Sequence, residues 1–295
     1  MALFPEARAA IEAAAAETPV WTEGYDIDEA RAANRQAAST EPGEDVAEVR
    51  DLDAGGVPVR LYRPDGARPG VVVHLHGGGF VFHDLDVHDA AARRLANRTG
   101  LPVLSVDYRR PPEHRFPAAT DDTDTVLAWL DREGAELGLD GPAYVHGDSA
   151  GGNLALVAAL RHPGRFAAAV LVYPFLDPTA SFDSYRTAAD GLDEREARWY
   201  WEQYAATPAD LEHPDLAPLR SDRLGSLPPT LVVTAEHDPL RDEGEELARR
   251  LAELGVPVVA TRYLGQVHGF WRHPSVFPAA EQALAQTAGF LARHA

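Results

Sequence analysis

Short apolar runs recur along the chain from residue 46 onwards and set its rhythm. Val71-Val72-Val73-His74-Leu75-His76 is almost continuously apolar and β-branched, which predicts a strand buried on both faces. Similar runs lie near Val103, Ala143, Ala168, Leu231 and Val258, separated by longer stretches with helical spacing. That alternation predicts a mostly parallel sheet covered by helices on both faces. Ahead of it, Ala47 to Leu52 and Val57 to Tyr62, joined by Gly55-Gly56, read as a hairpin. Up to about Pro42 the chain is Ala-rich and acidic and reads as two helices with a break at Gly24-Tyr25. Between Asp177 and Leu227 the rhythm fails, and Trp199, Tyr200, Trp201 and Tyr204 are spaced for one helix. This insert and the N-terminal helices are expected to form a cap over a site, with Trp199, Trp201 and Tyr204 facing substrate. The competing reading is that these rings only pack the insert onto the core.

Candidate chemistry sits at the ends of the predicted strands. Gly147-Asp148-Ser149-Ala150-Gly151 has the form G-x-S-x-G between an apolar strand and an Ala/Leu-rich helix. A nucleophilic serine needs a sharp strand-to-helix turn, and small flanking residues let the chain pass through it. The helix that follows points its first N–H groups at any oxyanion formed there. Upstream, Gly77-Gly78-Gly79-Phe80 breaks the strand at His76, and glycines allow backbone N–H groups close approach to a substrate oxygen. Downstream, Thr230 to Ala235 is followed by Glu236-His237-Asp238-Pro239-Leu240, and Val258 to Tyr263 by Gly265-Gln266-Val267-His268-Gly269-Phe270. Serine, then acid, then histidine, each in a loop after a strand, is the chain order of an α/β-hydrolase triad.

With His76-Gly77-Gly78-Gly79-Phe80, Asp107-Tyr108-Arg109 with Pro112-Glu113-His114, Gly147 to Asn153, Asp238 to Gly244 and His268-Gly269-Phe270 together, the chain resembles the hormone-sensitive-lipase-like esterases among the α/β-hydrolases. The resemblance runs from about Val46 to the C-terminus. It implies an α/β-hydrolase fold with an eight-stranded, mostly parallel sheet and a helical cap, made of residues 1–45 and an insert at about 177–227 on a catalytic domain 46–295. It implies Ser149 as nucleophile, His268 as general base and Asp238 as its orienting acid, with an oxyanion hole from the N–H groups of Gly78, Gly79 and Ala150. Phe80 and Asp148 are expected beside the substrate, Asp148 alternatively as an anchor for the elbow. Pro111 and Trp271 depart from the usual pattern, where Ala and Phe are common, and are expected to reshape the pocket walls.

Composition narrows the field without changing the picture. There are 46 acidic and 27 basic residues, for a net charge of −19, which argues against nucleic acid and anionic membranes as partners. All the basic residues are arginine. The absence of cysteine excludes disulfides, thiolate catalysis and Cys-ligated zinc. No apolar run reaches the roughly 18 residues of a membrane span, and the first residues carry Glu6, Arg8 and Glu12, unlike a signal peptide, so a soluble, cytoplasmic protein is expected. A homodimer is compatible with the sequence. The triad needs no cofactor and no metal. His83 and His88 with Asp84, Asp86 and Asp89 lack a coordination spacing and read as a cap-contacting loop. Asp242 competes with Asp238 for the acid role but suits the cap of a helix starting near Glu243. His237 reads as a loop or pocket residue, His74 as a hydrogen-bonded core residue, His76 as a brace for the glycine loop, and Arg109, Glu113 and His114 as one ion-pair network. The expected activity is hydrolysis of short to medium acyl esters of small molecules. A metabolite deacylase or amide hydrolase using the same triad, and a silent small-molecule receptor, are the alternatives.

Overall fold

The structure, a computed structural model, describes residues 2–295. Two N-terminal helices, α1 (Pro5–Ala14) and α2 (Ile27–Ala38), precede the hairpin β1 (Glu48–Asp53) and β2 (Pro58–Arg63). Strands β3 (Val71–Leu75), β4 (Val103–Val106), β5 (Ala143–Asp148), β6 (Phe166–Val172), β7 (Thr230–His237) and β8 (Val258–Val267) follow. Between them run α3 (Asp89–Thr99), α4 (Ala118–Glu133), α5 (Ala150–Arg161), the short α6 (Ser184–Thr187), α7 (Glu194–Tyr204) and α8 (Arg241–Glu253), and α9 (Ala279–Ala292) ends the chain. The eight strands form one sheet in the order β1-β2-β4-β3-β5-β6-β7-β8. The hairpin and its contact with β4 are antiparallel; every other pairing is parallel. The expected sheet is therefore present. The last strand continues past the apolar run to Val267, where His237 pairs with Val267 beyond an irregularity in the ladder.

Two cores fill the two faces, as the strand period of two requires. Val71, Val73 and Leu75 face a cluster with Val126, Leu154 and Leu247, while Val72 faces a second one with Ala92, Leu95 and Leu284. At the carboxyl end, the second face is floored with imidazole rather than hydrocarbon. Strand pairing sets His74 opposite His146, with their Nδ1 atoms 3.0 Å apart. His74 Nε2 lies 3.4 Å from His88 Nδ1, and His88 Nε2 lies 3.1 Å from His83 Nδ1. Trp271 closes this layer, its ring centroid 5.0 Å from that of His146. No helix among the described residues is long and apolar enough to cross a membrane.

Burial pushes His74 and His76 down to about 3, and holds His83, His88 and His146 well below the ordinary imidazole value. The unfolded chain takes up protons near pH 6.5 that these folded rings refuse. Their contribution is complete above that pH and is lost as pH falls, each group removing about 1.4 kcal/mol per pH unit. Urea unfolding at a series of pH values should therefore show a steep loss of stability between about pH 6.5 and 5, above the carboxylate range. In His146→Val the slope should be shallower by about one proton. Equal slopes in the two proteins would show that His146 carries no such linkage.

Candidate active site

The tight turn from β5 into α5 is set by backbone contact. Ser149 has φ 56° and ψ −122°, a left-handed conformation that a non-glycine residue holds only when its surroundings fix it. Ser149 N–H donates to Val172 O at 2.9 Å, and its own carbonyl accepts from Asn153 N and Phe175 N, each at 3.1 Å. A Cβ on Gly147 would lie 2.1 Å from Gly151 O, and one on Gly151 would lie 2.0 Å from Leu75 O. Only glycine fits either position.

Loops after three strands meet at this turn. His268 Nε2 is 3.0 Å from Ser149 Oγ, and His268 Nδ1 is 2.8 Å from Asp238 Oδ2. Asp238 is fully buried and its second oxygen accepts Leu240 N–H at 2.9 Å, so the carboxylate has one orientation. Tyr173 lies against the imidazole with ring centroids 4.5 Å apart. Burial alone would lower the pKa of His268. The Asp238 charge and hydrogen bond outweigh it, with Asp148 and Glu196 adding, and the net shift is upward.

The glycine loop after β3 is held from below. Gly77 N–H donates to Asp148 Oδ1 at 3.0 Å, and Tyr108 hydroxyl donates to His76 O at 2.7 Å. His76 stacks on Tyr108 at 4.2 Å and its Nδ1–H donates to Gly77 O at 2.9 Å, the bracing role expected of it. Gly78, Gly79 and Phe80 take φ of 109°, 59° and 66° in succession. That turn directs the Gly78 carbonyl to Val81 N and Phe82 N. The amides of Gly78 and Gly79 donate to no other described backbone group. Ala150 N–H is the first of α5, an orphan donor by position.

Other expectations for the pocket are revised by packing. Phe80, Trp201 and Tyr204 are 1%, 1% and 0% exposed. Phe80 stacks on Tyr204 at 3.9 Å and touches Trp201 at 5.4 Å, so these rings fill the core beneath α7 rather than face a ligand. Trp199 lies flat over Phe82 at 5.9 Å, with Tyr25 edge-on at 6.4 Å, joining the N-terminal segment to the insert. Asp148 is likewise turned to Gly77 and the histidine layer, the anchoring alternative. The ring that meets the glycine loop is Tyr200, because a Cβ on Gly79 would fall 2.2 Å from its Cδ1. Its hydroxyl donates to Glu196 at 2.8 Å. Burial raises the pKa of Glu196. The helical spacing names Tyr200 as readily as its neighbours, but only the rotation of α7 distinguishes them.

Several polar expectations also change. Asp242 lies inside the first turn of α8, whose cap position is Leu240, and accepts Ser184 N–H at 2.9 Å. Arg109, Glu113 and His114 form no single network: Arg109 pairs with Asp122 at 2.7 Å and Glu113 with Arg31 at 2.6 Å. His237 bonds Asp190 at 2.8 Å. Pro111 meets Arg31 through its carbonyl at 2.7 Å, and Trp271 lies on the histidine layer. Asp84, Asp86 and Asp89 pair with Arg35, Arg60 and Arg93. Nothing in the sequence pattern marks Arg31 or Glu243. Arg31, 7% exposed, donates to Val81 O at 2.9 Å and so ties α2 to the glycine loop. Glu243, fully buried, accepts Leu176 N–H at 2.7 Å at the start of the insert, and burial pushes its carboxyl well up.

Comparisons with known proteins agree with this fold. The profile of the α/β-hydrolase fold matches residues 72–272. An ethyl acetate hydrolase of Pseudomonas putida is 36% identical over 254 residues, 82% of this chain and 80% of that protein. An arylesterase of Saccharolobus solfataricus is 36% identical over 253 residues, 82% of this chain and 83% of that one. The solved hyperthermophilic esterase from Pyrobaculum calidifontis superposes with a TM-score of 0.88 at 36% identity, covering 98% of this chain and 97% of that one. The shared sheet, the strand-end loops and these likenesses together place the chain in the hormone-sensitive-lipase-like carboxylesterase family of the α/β-hydrolases.

Proposed function

We propose that the protein hydrolyses carboxylic esters of small molecules, with short to medium acyl groups, through an acyl-enzyme on Ser149. The observation that carries the reading is the unbroken line from Ser149 Oγ through His268 to Asp238. A neutral serine hydroxyl is a weak nucleophile, so His268 Nε2 takes its proton as the oxygen attacks the ester carbonyl. Asp238 keeps the second imidazole proton on Nδ1 and stabilises the imidazolium that forms. Negative charge on the former carbonyl oxygen is met by the N–H groups of Gly78, Gly79 and Ala150. The imidazolium then gives its proton to the departing alkoxide, and water attacks the acyl-enzyme through the same base. Relatives named for ethyl acetate and for acetyl esters support short acyl groups. A silent receptor would have no use for the complete proton line, which argues for turnover. The α1–α2 segment and the insert that bears α7 form the cap in this reading, and Tyr200 against Gly79 is its contact with the acyl site.

A panel of p-nitrophenyl esters of increasing chain length tests the activity directly. Ser149→Ala should lose on the order of 10⁴-fold or more in kcat with an unchanged melting temperature. An organophosphate should label Ser149 stoichiometrically. Asp238→Asn should lose roughly 10²–10⁴-fold by leaving the imidazole in the wrong tautomer. Asp242→Asn should instead cost about 1–3 kcal/mol of stability through its bond to Ser184, with kcat little changed. A reversal of the two effects would reassign the acid.

The rate should also depend on pH with a determined sign. His268 must be neutral to act, and its pKa is raised by Asp238. On acidification kcat/KM should therefore fall with a midpoint above the ordinary value of about 6.5. Removing one of the carboxylates that raise it, in Glu196→Gln, should move the midpoint to lower pH. A profile flat from about pH 5 to 8 would rule out histidine as base.

Chain-length preference should respond to Tyr200 and not to the buried rings. Tyr200→Ala should raise octanoate turnover relative to acetate, since an apolar pocket gains about 0.8 kcal/mol per CH₂ it can bury. Trp201→Ala and Tyr204→Ala should each cost roughly 3–5 kcal/mol of stability and leave that ratio where it was. Melting temperatures measured beside the kinetics separate the two behaviours. An unchanged ratio in Tyr200→Ala would place the acyl wall elsewhere.

A further inference from the structure

The histidine layer beneath the glycine loop contains a donor set that hydrolysis does not use. His74 comes from β3, His88 from the turn before α3, and Asp148 from the end of β5. One ligand-capable atom from each lies within 4.8 Å of the other two, and all three side chains are buried. His74 Nε2 and His88 Nδ1 are 3.4 Å apart, and His88 Nδ1 is 3.8 Å from Asp148 Oδ1. Two imidazole nitrogens bound to one ion at about 2.1 Å, at a tetrahedral angle, stand roughly 3.4 Å apart. As direct contacts the same distances are poor. The first is at the long end for a hydrogen bond and the second is beyond one.

The outer nitrogens of both rings are already engaged. His74 Nδ1 meets His146 Nδ1 at 3.0 Å, and His88 Nε2 meets His83 Nδ1 at 3.1 Å. Partners of this kind fix the rotation and tautomer of metal-bound imidazoles. With Nδ1–H on His74 donating to His146, and Nε2–H on His88 donating to His83, the two facing nitrogens carry bare lone pairs. Both rings are then neutral, and neither has to lose a proton when a cation enters.

We propose that His74, His88 and Asp148 bind a first-row divalent cation of the zinc type, at a site that stiffens the loops around Ser149 without touching substrate. Two imidazoles among three donors select against calcium and magnesium, which take oxygen ligands, and favour Zn²⁺, Fe²⁺ or Co²⁺. Asp148 is the link to the reaction centre. It is adjacent to Ser149 in the chain, and the oxygen that would face the ion also accepts Gly77 N–H. A cation held there would clamp the elbow and the glycine loop together. The proposal rests on no step of ester hydrolysis, so its failure would leave that reading untouched.

Because the site is buried, loading requires opening the protein. The full chain is unfolded with chelator, refolded with Co²⁺ or with Zn²⁺ alone, and desalted. The expected result is stoichiometric retention of the ion, a higher melting temperature than the chelator-refolded protein, and Co²⁺ visible bands of tetrahedral intensity. His74→Gln and His88→Gln should each abolish retention, and His146→Phe should weaken it by about 10–100-fold as an outer partner. His162→Gln, which removes a half-exposed histidine paired with Asp124, should leave it unchanged. Refolded wild-type protein that holds no ion after desalting would overturn the proposal. So would Co²⁺ bands that survive in both His74→Gln and His88→Gln. Should one of those variants fail to fold, the other variant and the wild-type Co²⁺ spectrum still decide.

Discussion

One buried hydrogen bond sets the geometry on which the site depends. Gly77 N–H donates to Asp148 Oδ1, joining the loop after β3 to the residue immediately before Ser149. An acyl-transfer site must place a nucleophile and its oxyanion donors around one carbonyl, and small misplacements are expensive in rate. In the proposed site the two halves are 71 residues apart in sequence, and one carboxylate bonds them where the paired strands β3 and β5 end. Burial raises the pKa of that carboxyl, with Arg272, Trp271 and the Gly77 amide working against the rise. The steric side of the same joint is equally tight, since a Cβ on Gly77 would lie 2.5 Å from Asp148 Oδ2. Charge and shape thus specify one relative placement.

The segments expected to form the cap attach to this joint by polar anchors as well as by the apolar packing of Trp201 and Tyr204 on Phe80. Arg31 reaches from α2 to Val81 O, Pro111 O and Glu113, which places the N-terminal helices relative to the glycine loop. The insert is tied at its start by Glu243 and further along by Asp242 through Ser184. Directional anchors of this kind fix position while leaving the apolar contacts between Trp199, Phe82 and Tyr25 free to adapt. A burial pattern read along the sequence does not reveal such anchors, because an arginine or glutamate in an amphipathic helix looks like a solvated residue until its partner is known.

This difference explains what was legible beforehand. Strand positions, the hairpin and the order of the strand-end loops follow from short-range pattern and turn chemistry, and Gly147 and Gly151 declare a close approach because no other residue could make it. The helix α7 was also legible, but its rotation was not. Trp201 and Tyr204 are spaced at i and i+3 and share the buried face with Ala197, so the helical period picks out a packed stripe, while Tyr200, one position away, meets Gly79. The histidine layer was hidden for a different reason. His74 and His146 lie 72 residues apart and become neighbours only through the register of β3 against β5, which no local signal encodes.

The glycine at 151 has a consequence for how such a protein can change over time. Its Cα lies so near Leu75 O that α5 rests on the sheet with no side chain between them. A helix spaced from a sheet by side chains can be nudged by exchanging a valine for a leucine. This one has no such adjustable spacer, and any substitution at the contact displaces the whole elbow. Small changes of volume can be absorbed instead where side chains do set the spacing, at Tyr200, Trp199, Phe82 and Tyr25. The contacts beneath Ser149 leave no side-chain volume to exchange, whereas the aromatic contacts around Tyr200 do.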